Sequence, residues 1–198
     1  MHGKDLSFNN IVDLNAALEC VKEFKQPACA IVKHCNPCGV GTSESINDAF
    51  QLALSGDPVS AFGGIIAFNR KVDDKTASAI HELFIEAIIA PSFTEGALSI
   101  LKTKKNIRIL SILNFENGFQ SSNEFDVKKV TGGLLLQERD LNTVDINLLS
   151  SVTKRKPTPE ETASLNFTWK VAKHVKSNAI VIGSEKQTIG IGAWQMSR

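Results

Sequence analysis

Apolar positions in the first half of the chain follow two periods, one helical and one extended. In the first amphipathic stretch the apolar side recurs at helical spacing through Ala17, Leu18, Val21 and Phe24. Asp13 precedes these positions as an N-cap would, so the pattern predicts a helix from Asp13 to about Phe24. An uninterrupted apolar run follows and predicts a buried strand over residues 28–34.

The same succession of helix and strand repeats along the next eighty residues or so. Further helices are predicted from Thr42 or Ser43 to Gly56, from Asp73 or Asp74 to about Phe84, and from Thr94 to Lys104. Strands are predicted to follow the turn at Ser60–Gly64, and over 86–90 and 107–112. This alternation indicates an α/β layered domain, with a parallel or mixed sheet covered by helices on both faces.

The pattern changes after residue 112. Residues 114–124 are polar and predict a loop, and residues 125–137 contain extended segments typical of a sheet edge or a hairpin. Pro157 and Pro159 open a predicted helix that runs to about Lys176. A strand over 179–183 and a glycine-punctuated β segment with its turn over 188–193 complete the prediction.

Composition is that of an ordinary globular protein. The chain has 198 residues, 42% of them hydrophobic, and its 22 basic and 21 acidic side chains leave no electrostatic case for nucleic acid. No apolar run reaches the roughly 18 to 20 residues of a membrane span, and the first residues lack the apolar segment of a signal peptide. We therefore expect a cytosolic protein with free thiols at its cysteines, which are Cys20, Cys29, Cys35 and Cys38.

Lys33 and His34 stand where the first predicted strand gives way to a turn at Cys35–Gly39. Proline fixes φ and glycine accepts left-handed values, so this stretch is predicted to reverse the chain. A lysine beside a histidine combines a fixed positive charge with a group that exchanges a proton near neutral pH. Neighbouring strand residues point to opposite faces, so the pair serves one pocket only if the strand ends or is bulged there. The alternative is a solvated surface pair.

The Cys35-x-x-Cys38 spacing has three functional interpretations and one structural one. A zinc site requires further ligands, and no second Cys or His pair lies at suitable spacing. A thioredoxin-like redox pair opens a helix, whereas here the turn continues through Gly39. The zinc-deaminase pattern is also unmet, because no Glu stands two residues after His34. Packing thiols are the favoured interpretation.

Other candidate features carry weaker signals. The Ser60–Gly64 turn precedes a strand, so it is either a close backbone approach to a ligand or a plain tight turn. The glycines after Thr188 could turn backbone amides toward an anion, and Arg198 could hold a phosphate or remain solvated. The remaining histidines, His2, His81 and His174, are predicted to be structural or terminal.

Several stretches in colinear order resemble the formyltransferase domain of the bifunctional AICAR transformylase/IMP cyclohydrolase family. They are Gly3–Asn10, Val32–Gly39, Asp57–Asn69, Ile88–Pro91, Gly132–Gln137, Val152–Lys154, Lys176–Ile180, Gly190–Ala193 and Gln195–Arg198. Together they span nearly the whole chain. Colinear blocks of this kind are more specific than any lone motif.

The resemblance implies formyl transfer from 10-formyltetrahydrofolate, a reduced folate, to the 5-amino group of AICAR (5-aminoimidazole-4-carboxamide) ribonucleotide, on the route to IMP. It implies a three-layer α/β/α, cytidine-deaminase-like fold without the zinc, and a homodimer. The family's catalytic Lys-His pair corresponds to Lys33 and His34. The matching substrate-contact positions are Gly63, Glu86, Asn178 and Arg198.

The chemistry suits these residue types. The attacking amine is a poor nucleophile, so its proton must leave as the new bond forms, and His34 is the natural base. Lys33 can stabilise the negative charge that grows on the formyl oxygen, or assist protonation of the leaving folate nitrogen. Asn178 can read the carboxamide with one donor and one acceptor. The chemistry requires no metal.

The sequence also departs from the family pattern. The cyclohydrolase domain and the second half of the formyltransferase domain are expected to be missing, Trp194 stands in place of a glycine, and Glu86 replaces an Asp of some members. We expect residues 1–140 to form the first lobe, 141–177 a helical connector and 178–198 the start of a second lobe. The chain alone is then expected to have little turnover. Alternatives are a non-catalytic nucleotide-binding or assembly module and a thiol redox protein.

Overall fold

A mixed sheet of five strands, in the order β2-β1-β3-β4-β5, forms the middle layer of the fold. The computed structural model describes residues 2–112, 115, 125–142 and 144–193. The strands of this sheet are β1 (Ala28–Lys33), β2 (Asn36–Thr42), β3 (Gly64–Phe68), β4 (Ile85–Ala90) and β5 (Arg108–Ser111). β1 is antiparallel to β2 and β3, whereas β3, β4 and β5 are mutually parallel.

Helices cover both faces of the sheet, which confirms the predicted α/β/α layering. They are α1 (Phe8–Lys22), α2 (Ile46–Gly56), α3 (Pro58–Ala61), α4 (Asp74–His81), α5 (Glu95–Lys102) and α6 (Pro159–Ala172). One apolar core lies between the sheet and α2, α4 and α5, and is centred on Phe50, Phe68 and Ile88. The other lies under α1 and α6 and includes Val21 and Phe167. Alternate side chains of the central strands enter opposite cores, as the pleat requires.

The first helix begins earlier than its apolar pattern predicted. Ser7 is the N-cap, and its hydroxyl accepts the amide of Asn10 while the Asn10 side chain accepts the amide of Ser7. This reciprocal capping box satisfies two backbone donors locally. The prediction of Asp13 as the cap is wrong, because Asp13 lies inside α1 and its carboxylate accepts the backbone amide of Cys35.

The Cys35–Gly39 stretch was predicted as a turn, and this prediction is also wrong. The chain reverses at His34 and Cys35 alone, and β2 begins at Asn36. β2 is buried along its whole length, including the glycines and proline that favoured a turn. Gly39 is required for packing, since a Cβ there would lie 1.9 Å from the carbonyl oxygen of Ala53 in α2. Its absent side chain therefore allows α2 to lie directly on the edge strand.

The remaining elements of the layered region agree with the predictions to within a few residues. Asp73 caps α4 and Thr94 caps α5, as their positions indicated. The second helix is capped by Ser45 instead of Thr42 or Ser43. Residues 58–61, predicted as a helix stop and turn, form the short helix α3 with Asp57 as its cap. Almost all of the predicted 114–124 loop lies outside the described residues.

Two hairpins, a short 3₁₀ helix (Ile146–Leu148) and helix α6 follow β5 in the described part of the chain. β6 (Phe125–Val130) and β7 (Gly133–Glu138) pair antiparallel, so the structure shows the hairpin among the two predicted alternatives of a sheet edge and a hairpin. Thr158 caps α6, and Pro159 occupies its first turn as expected. β8 (Ile180–Gly183) and β9 (Thr188–Gly192) form a second hairpin. Thr42 donates its amide to the carbonyl of Lys186 at 2.7 Å, so this hairpin lies against the edge strand β2.

None of the described helices is both long and apolar enough to cross a membrane.

Candidate functional site

Lys33 is the last residue of β1, and its side chain reaches Phe62, two residues before β3 begins. Its ammonium Nζ donates to the backbone carbonyl of Phe62 at 2.8 Å. Lys33 pairs with Asn36 across the hairpin, so only His34 and Cys35 form the connecting turn. An ammonium has three donors, and this contact accounts for one of them.

His34 and Cys35 both have positive φ angles, 54° and 61°. Two consecutive positive values are those of a type I′ hairpin turn, where Asn and Gly are preferred. A non-glycine residue in this region costs about 1–3 kcal/mol, and such strain concentrates at functional sites. The turn presents the imidazole of His34 to solvent beyond the strand end. Lys33 and His34 can therefore face a common space, because β1 has already ended.

The side chains of Asp13 and Asn36 form hydrogen bonds with the His34–Cys35 turn. The carboxylate of Asp13 accepts the amide of Cys35 at 2.7 Å and the thiol of Cys35 at 3.2 Å. The amide side chain of Asn36 donates to the carbonyl of His34 at 3.2 Å. Both turn residues are thus fixed through their backbone atoms, which leaves the imidazole of His34 available.

Gly63 lies at the same end of the sheet as Lys33. β1 runs antiparallel to β3, so the end of β1 meets the start of β3. Gly63 has a φ of +74° and donates its amide to the carbonyl of Phe84 at 2.8 Å. The rings of Phe62 and Phe84 lie 5.1 Å apart and are largely exposed beside it. Only glycine adopts this φ without strain, so the backbone conformation of the turn requires a glycine at this position.

Glu86 follows the start of β4, one strand further along the same edge. Gly64 pairs with Ile85, so Glu86 lies at the same end of the sheet as Lys33 and Gly63. The carboxylate oxygen Oε2 accepts from Asn10 Nδ2 at 3.1 Å and from Arg108 Nη1 at 3.4 Å. Two neighbouring elements, α1 and β5, therefore orient this carboxylate.

Asn178 follows α6, and its side chain is exposed. Two residues earlier, the backbone amide of Lys176 donates to Asn36 Oδ1 at 2.9 Å. The segment that carries Asn178 is thus tied to the residue that closes the His34 turn. Arg198 and Trp194 lie outside the described residues.

Three residues that contact Lys33 or the His34 turn were missed from the sequence. Asp13 had been interpreted as a helix cap, Asn36 as part of a turn, and Phe62 as part of a glycine-rich connection. Their partners lie between 2 and 140 positions away in the chain, and the distant partners cannot be found from local sequence patterns. The Asn-Pro step after the Lys-His pair was the available signal for Asn36.

The structure contradicts the redox interpretation of Cys35 and Cys38. Burial and the neighbouring Asp13 carboxylate raise the pKa of the Cys35 thiol. Burial, with a smaller effect of Asp57, raises the pKa of Cys38 to about 12. The two thiols also have different partners, since Cys38 donates to the carbonyl of Ile31. A redox pair requires a lowered thiol pKa. All four cysteines are free, as predicted.

Within the described ranges, no three His, Cys, Asp or Glu side chains come together as metal ligands would.

Fold and site together define a three-layer α/β/α domain with a Lys-His pair presented at a strained hairpin turn. The chain belongs to the AICARFT/IMPCHase bienzyme family, whose model matches residues 1–198. It is similar to proteins named bifunctional purine biosynthesis protein PurH from Anoxybacillus flavithermus (55% identity), Thermoanaerobacter sp. (53%) and Bacillus cereus (52%). Each match covers 100% of this chain and 38% of the relative's length.

Proposed function

We propose that the protein containing this chain transfers a formyl group from 10-formyltetrahydrofolate to the 5-amino group of AICAR ribonucleotide, with Lys33 and His34 as its catalytic residues. The observation that carries the proposal is the presentation of this pair at a fixed turn, beside Gly63 and the start of β4. Membership of the AICARFT/IMPCHase family supports the substrate class.

His34 is proposed as the general base. The lone pair of the AICAR amine is delocalised into the imidazole ring of the nucleotide, so loss of an N–H proton must accompany attack on the formyl carbon. The exposed imidazole of His34 can receive that proton, since the turn is held through backbone atoms. A positioned base of this kind accounts for about 10²- to 10⁴-fold in rate.

Lys33 is proposed to stabilise the developing oxyanion. As the new C–N bond forms, the formyl oxygen gains negative charge, and cleavage of the bond to folate N10 then returns the carbonyl. The contact with Phe62 orients the ammonium and leaves other N–H donors for this oxygen. The proton that N10 requires on leaving can come from the protonated His34 or through Lys33.

The remaining predicted positions are proposed as substrate contacts. Gly63 allows close backbone approach, Asn178 pairs with the carboxamide, and Arg198 binds the phosphate. Glu86 retains free lone pairs after its contacts with Asn10 and Arg108, so it can also accept from the nucleotide. We do not assign a metal to the reaction, and we propose a cytosolic location.

The decisive experiment is formyl transfer by the intact protein, including whatever segments its gene encodes on either side. His34→Ala should lower kcat by about 10²- to 10⁴-fold. His81→Ala is the matched control, because the described polar contacts of the His81 imidazole are with Thr103 at 2.9 Å and Glu82 at 4.0 Å, and neither residue is proposed for the site. Unchanged formyl transfer in His34→Ala would remove the proposed function.

The 198-residue chain alone is proposed to have little turnover. A groove of about 950 Å³ runs between α6 and β8 and is lined by exposed apolar side chains, including Leu165, Trp169 and Ile182. Exposed apolar side chains that line a groove are suited to contact with further polypeptide. A folded module that binds nucleotide without turnover is the second candidate for the isolated chain. Calorimetry with AICAR ribonucleotide detects binding, and turnover by the chain alone would reject this candidate.

A homodimer is proposed for the intact protein. The β6–β7 ribbon exposes apolar side chains on both faces, among them Val127, Leu134, Leu135 and Leu136. An isolated two-stranded ribbon is marginal in water, so a covering surface is needed to stabilise it. Leu134→Lys with Leu136→Lys should shift the mass measured by light scattering toward the monomer. An unchanged mass would show that these apolar side chains of the β6–β7 ribbon do not form the dimer contact.

A further inference from the structure

We propose that Asn36 is a positioning residue that holds the His34 turn and the segment leading to Asn178 at a fixed separation. Its side chain donates to the carbonyl of His34 at 3.2 Å and accepts the amide of Lys176 at 2.9 Å. The inference rests on the proposed function, since it concerns the geometry of the same site.

The bridge uses both ends of one buried amide. Asn36 is only 3% exposed, so water does not readily replace either hydrogen bond. The two contacts join residues that are 142 positions apart in the chain, His34 and Lys176. No backbone-to-backbone hydrogen bond between these two segments appears among the described residues, so the Asn36 side chain supplies the described hydrogen bonds that join them.

The chemical consequence concerns two groups that must act on one nucleotide. His34 must meet the amine, while Asn178 must meet the neighbouring carboxamide. A misplacement of about 1 Å between reacting groups can lower the rate by about 10²-fold. Asn36 does not touch the substrate in this scheme, and it acts only through the residues that it holds.

The chain provides a matched control in Asn69. This asparagine is 1% exposed, accepts the amide of Ala28 at 2.7 Å and donates to the carbonyls of Phe24 and Gln26. It bridges two segments as Asn36 does, but it follows the far end of β3. Loss of Asn69 should therefore destabilise the fold without changing the site.

The test is a double-mutant cycle in the intact protein, with activity measured per folded molecule. Asn36→Ala should lower kcat about 10- to 100-fold, and it should have little further effect in the His34→Ala background. Asn69→Ala should change kcat by less than about threefold in either background. A purely structural role predicts independent effects, so additivity of Asn36→Ala and His34→Ala would overturn the inference.

Hydrogen–deuterium exchange provides a second readout that does not depend on turnover. Peptides covering residues 173–180 should exchange faster in Asn36→Ala, because the amide of Lys176 loses its acceptor. Asn36→Asp keeps this acceptor but offers no donor to His34, so exchange should stay slow while kcat falls. Unchanged exchange in Asn36→Ala would overturn the inference. Should Asn36→Ala fail to fold, Asn36→Asp carries the test, and an unchanged kcat in that variant would overturn it.

The outcomes separate this inference from the proposed function. An intact protein without formyl transfer, or one unaffected by His34→Ala, defeats the proposed function. A protein that depends on His34 but responds to Asn36→Ala only as it does to Asn69→Ala defeats the positioning role alone. The pH profile of kcat distinguishes two effects in Asn36→Asp. The added negative charge would shift the profile along the pH axis, whereas lost positioning would lower kcat at every pH.

Discussion

The carboxylate of Asp13, in the interior of α1, accepts the backbone amide of Cys35 at 2.7 Å, from the turn that follows β1. This bond fixes the second of two residues with positive φ. The helix packed on the sheet therefore sets the conformation of the turn that presents His34. The hydrogen bond between Asp13 and Cys35 is a tertiary contact that maintains the strained turn. Substitution of Asp13 therefore tests how much this contact contributes.

Removing the Asp13 carboxylate should loosen this turn. Asp13→Ala leaves the Cys35 amide without its acceptor and is expected to lower the free energy of unfolding by about 1–3 kcal/mol. Asp13→Asn keeps an acceptor oxygen and should retain most of that stability. Urea unfolding compares the two variants, and equal losses would contradict the assignment of the hydrogen bond.

The same pair controls the reactivity of Cys35. After burial, the hydrogen bond and negative charge of Asp13 raise the pKa of this thiol. Asp13→Asn removes the charge, so the pKa of Cys35 should fall and the thiolate fraction at a given pH should rise. Iodoacetamide labelling, followed by mass spectrometry, should become faster at Cys35. Labelling at buried Cys38 is the internal control and should not change.

The His34 turn should show a trade-off between stability and activity. Glycine adopts φ 54° without strain, so His34→Gly should leave the free energy of unfolding unchanged or raise it by up to about 1 kcal/mol. Formyl transfer should fall by about 10²- to 10⁴-fold in the same variant. His34→Asn is the control, because asparagine tolerates this backbone but offers no imidazole. A variant with glycine that keeps its turnover would remove His34 from the chemistry.

Gly63→Ala should be costly because of its backbone. Its Cβ would meet Phe84 at an ordinary contact distance of 3.6 Å, yet φ is +74°. The substitution should lower the free energy of unfolding by about 1–2 kcal/mol and reduce formyl transfer. Gly132→Ala introduces similar strain, at φ +86° in open space within the β6–β7 turn. It should lower stability alone, and equal losses of activity would argue against a role for Gly63 in the site.

Glu23 should make stability depend on pH. Burial opposes ionisation, but hydrogen bonds from His174 and Lys173 outweigh it and lower the pKa of Glu23 below its ordinary value of 4.5. The carboxylate is 11% exposed and lies 2.9 Å from Lys173 Nζ and 3.0 Å from His174 Nε2. A lowered folded-state pKa contributes stability above pH 4.5, and this contribution is lost as pH falls through the folded value.

Glu23→Gln should therefore flatten this dependence. At neutral pH the variant is expected to lose about 1–3 kcal/mol of unfolding free energy. The difference from the unmodified protein should shrink as the pH falls below 4.5 and through the lowered folded-state pKa of Glu23. Urea midpoints measured across this acid range follow the change. Exposed Glu185→Gln is the control for loss of one carboxylate. A constant difference across the acid range would contradict the linkage.

Local patterns in the sequence determined most of the layered architecture. The caps Asp73 and Thr94, the buried runs of β1 and β4, and the β6–β7 hairpin are all encoded within a few neighbouring residues. Side-chain hydrogen bonds to nearby amides, together with apolar periodicity, act at short range. The Lys-His pair at the end of an apolar run was identified for the same reason.

Tertiary structure alone decided how that pair is held. Asp13 could serve equally as a cap or as a distant acceptor, and the Asn36–Gly39 stretch could serve as a turn or as an edge strand beneath α2. The choice depends on which element packs nearby, and this is a property of chain segments that lie far apart in sequence. Antiparallel pairing of β1 with β3 likewise brought Gly63 to Lys33, since strand direction follows from the whole sheet.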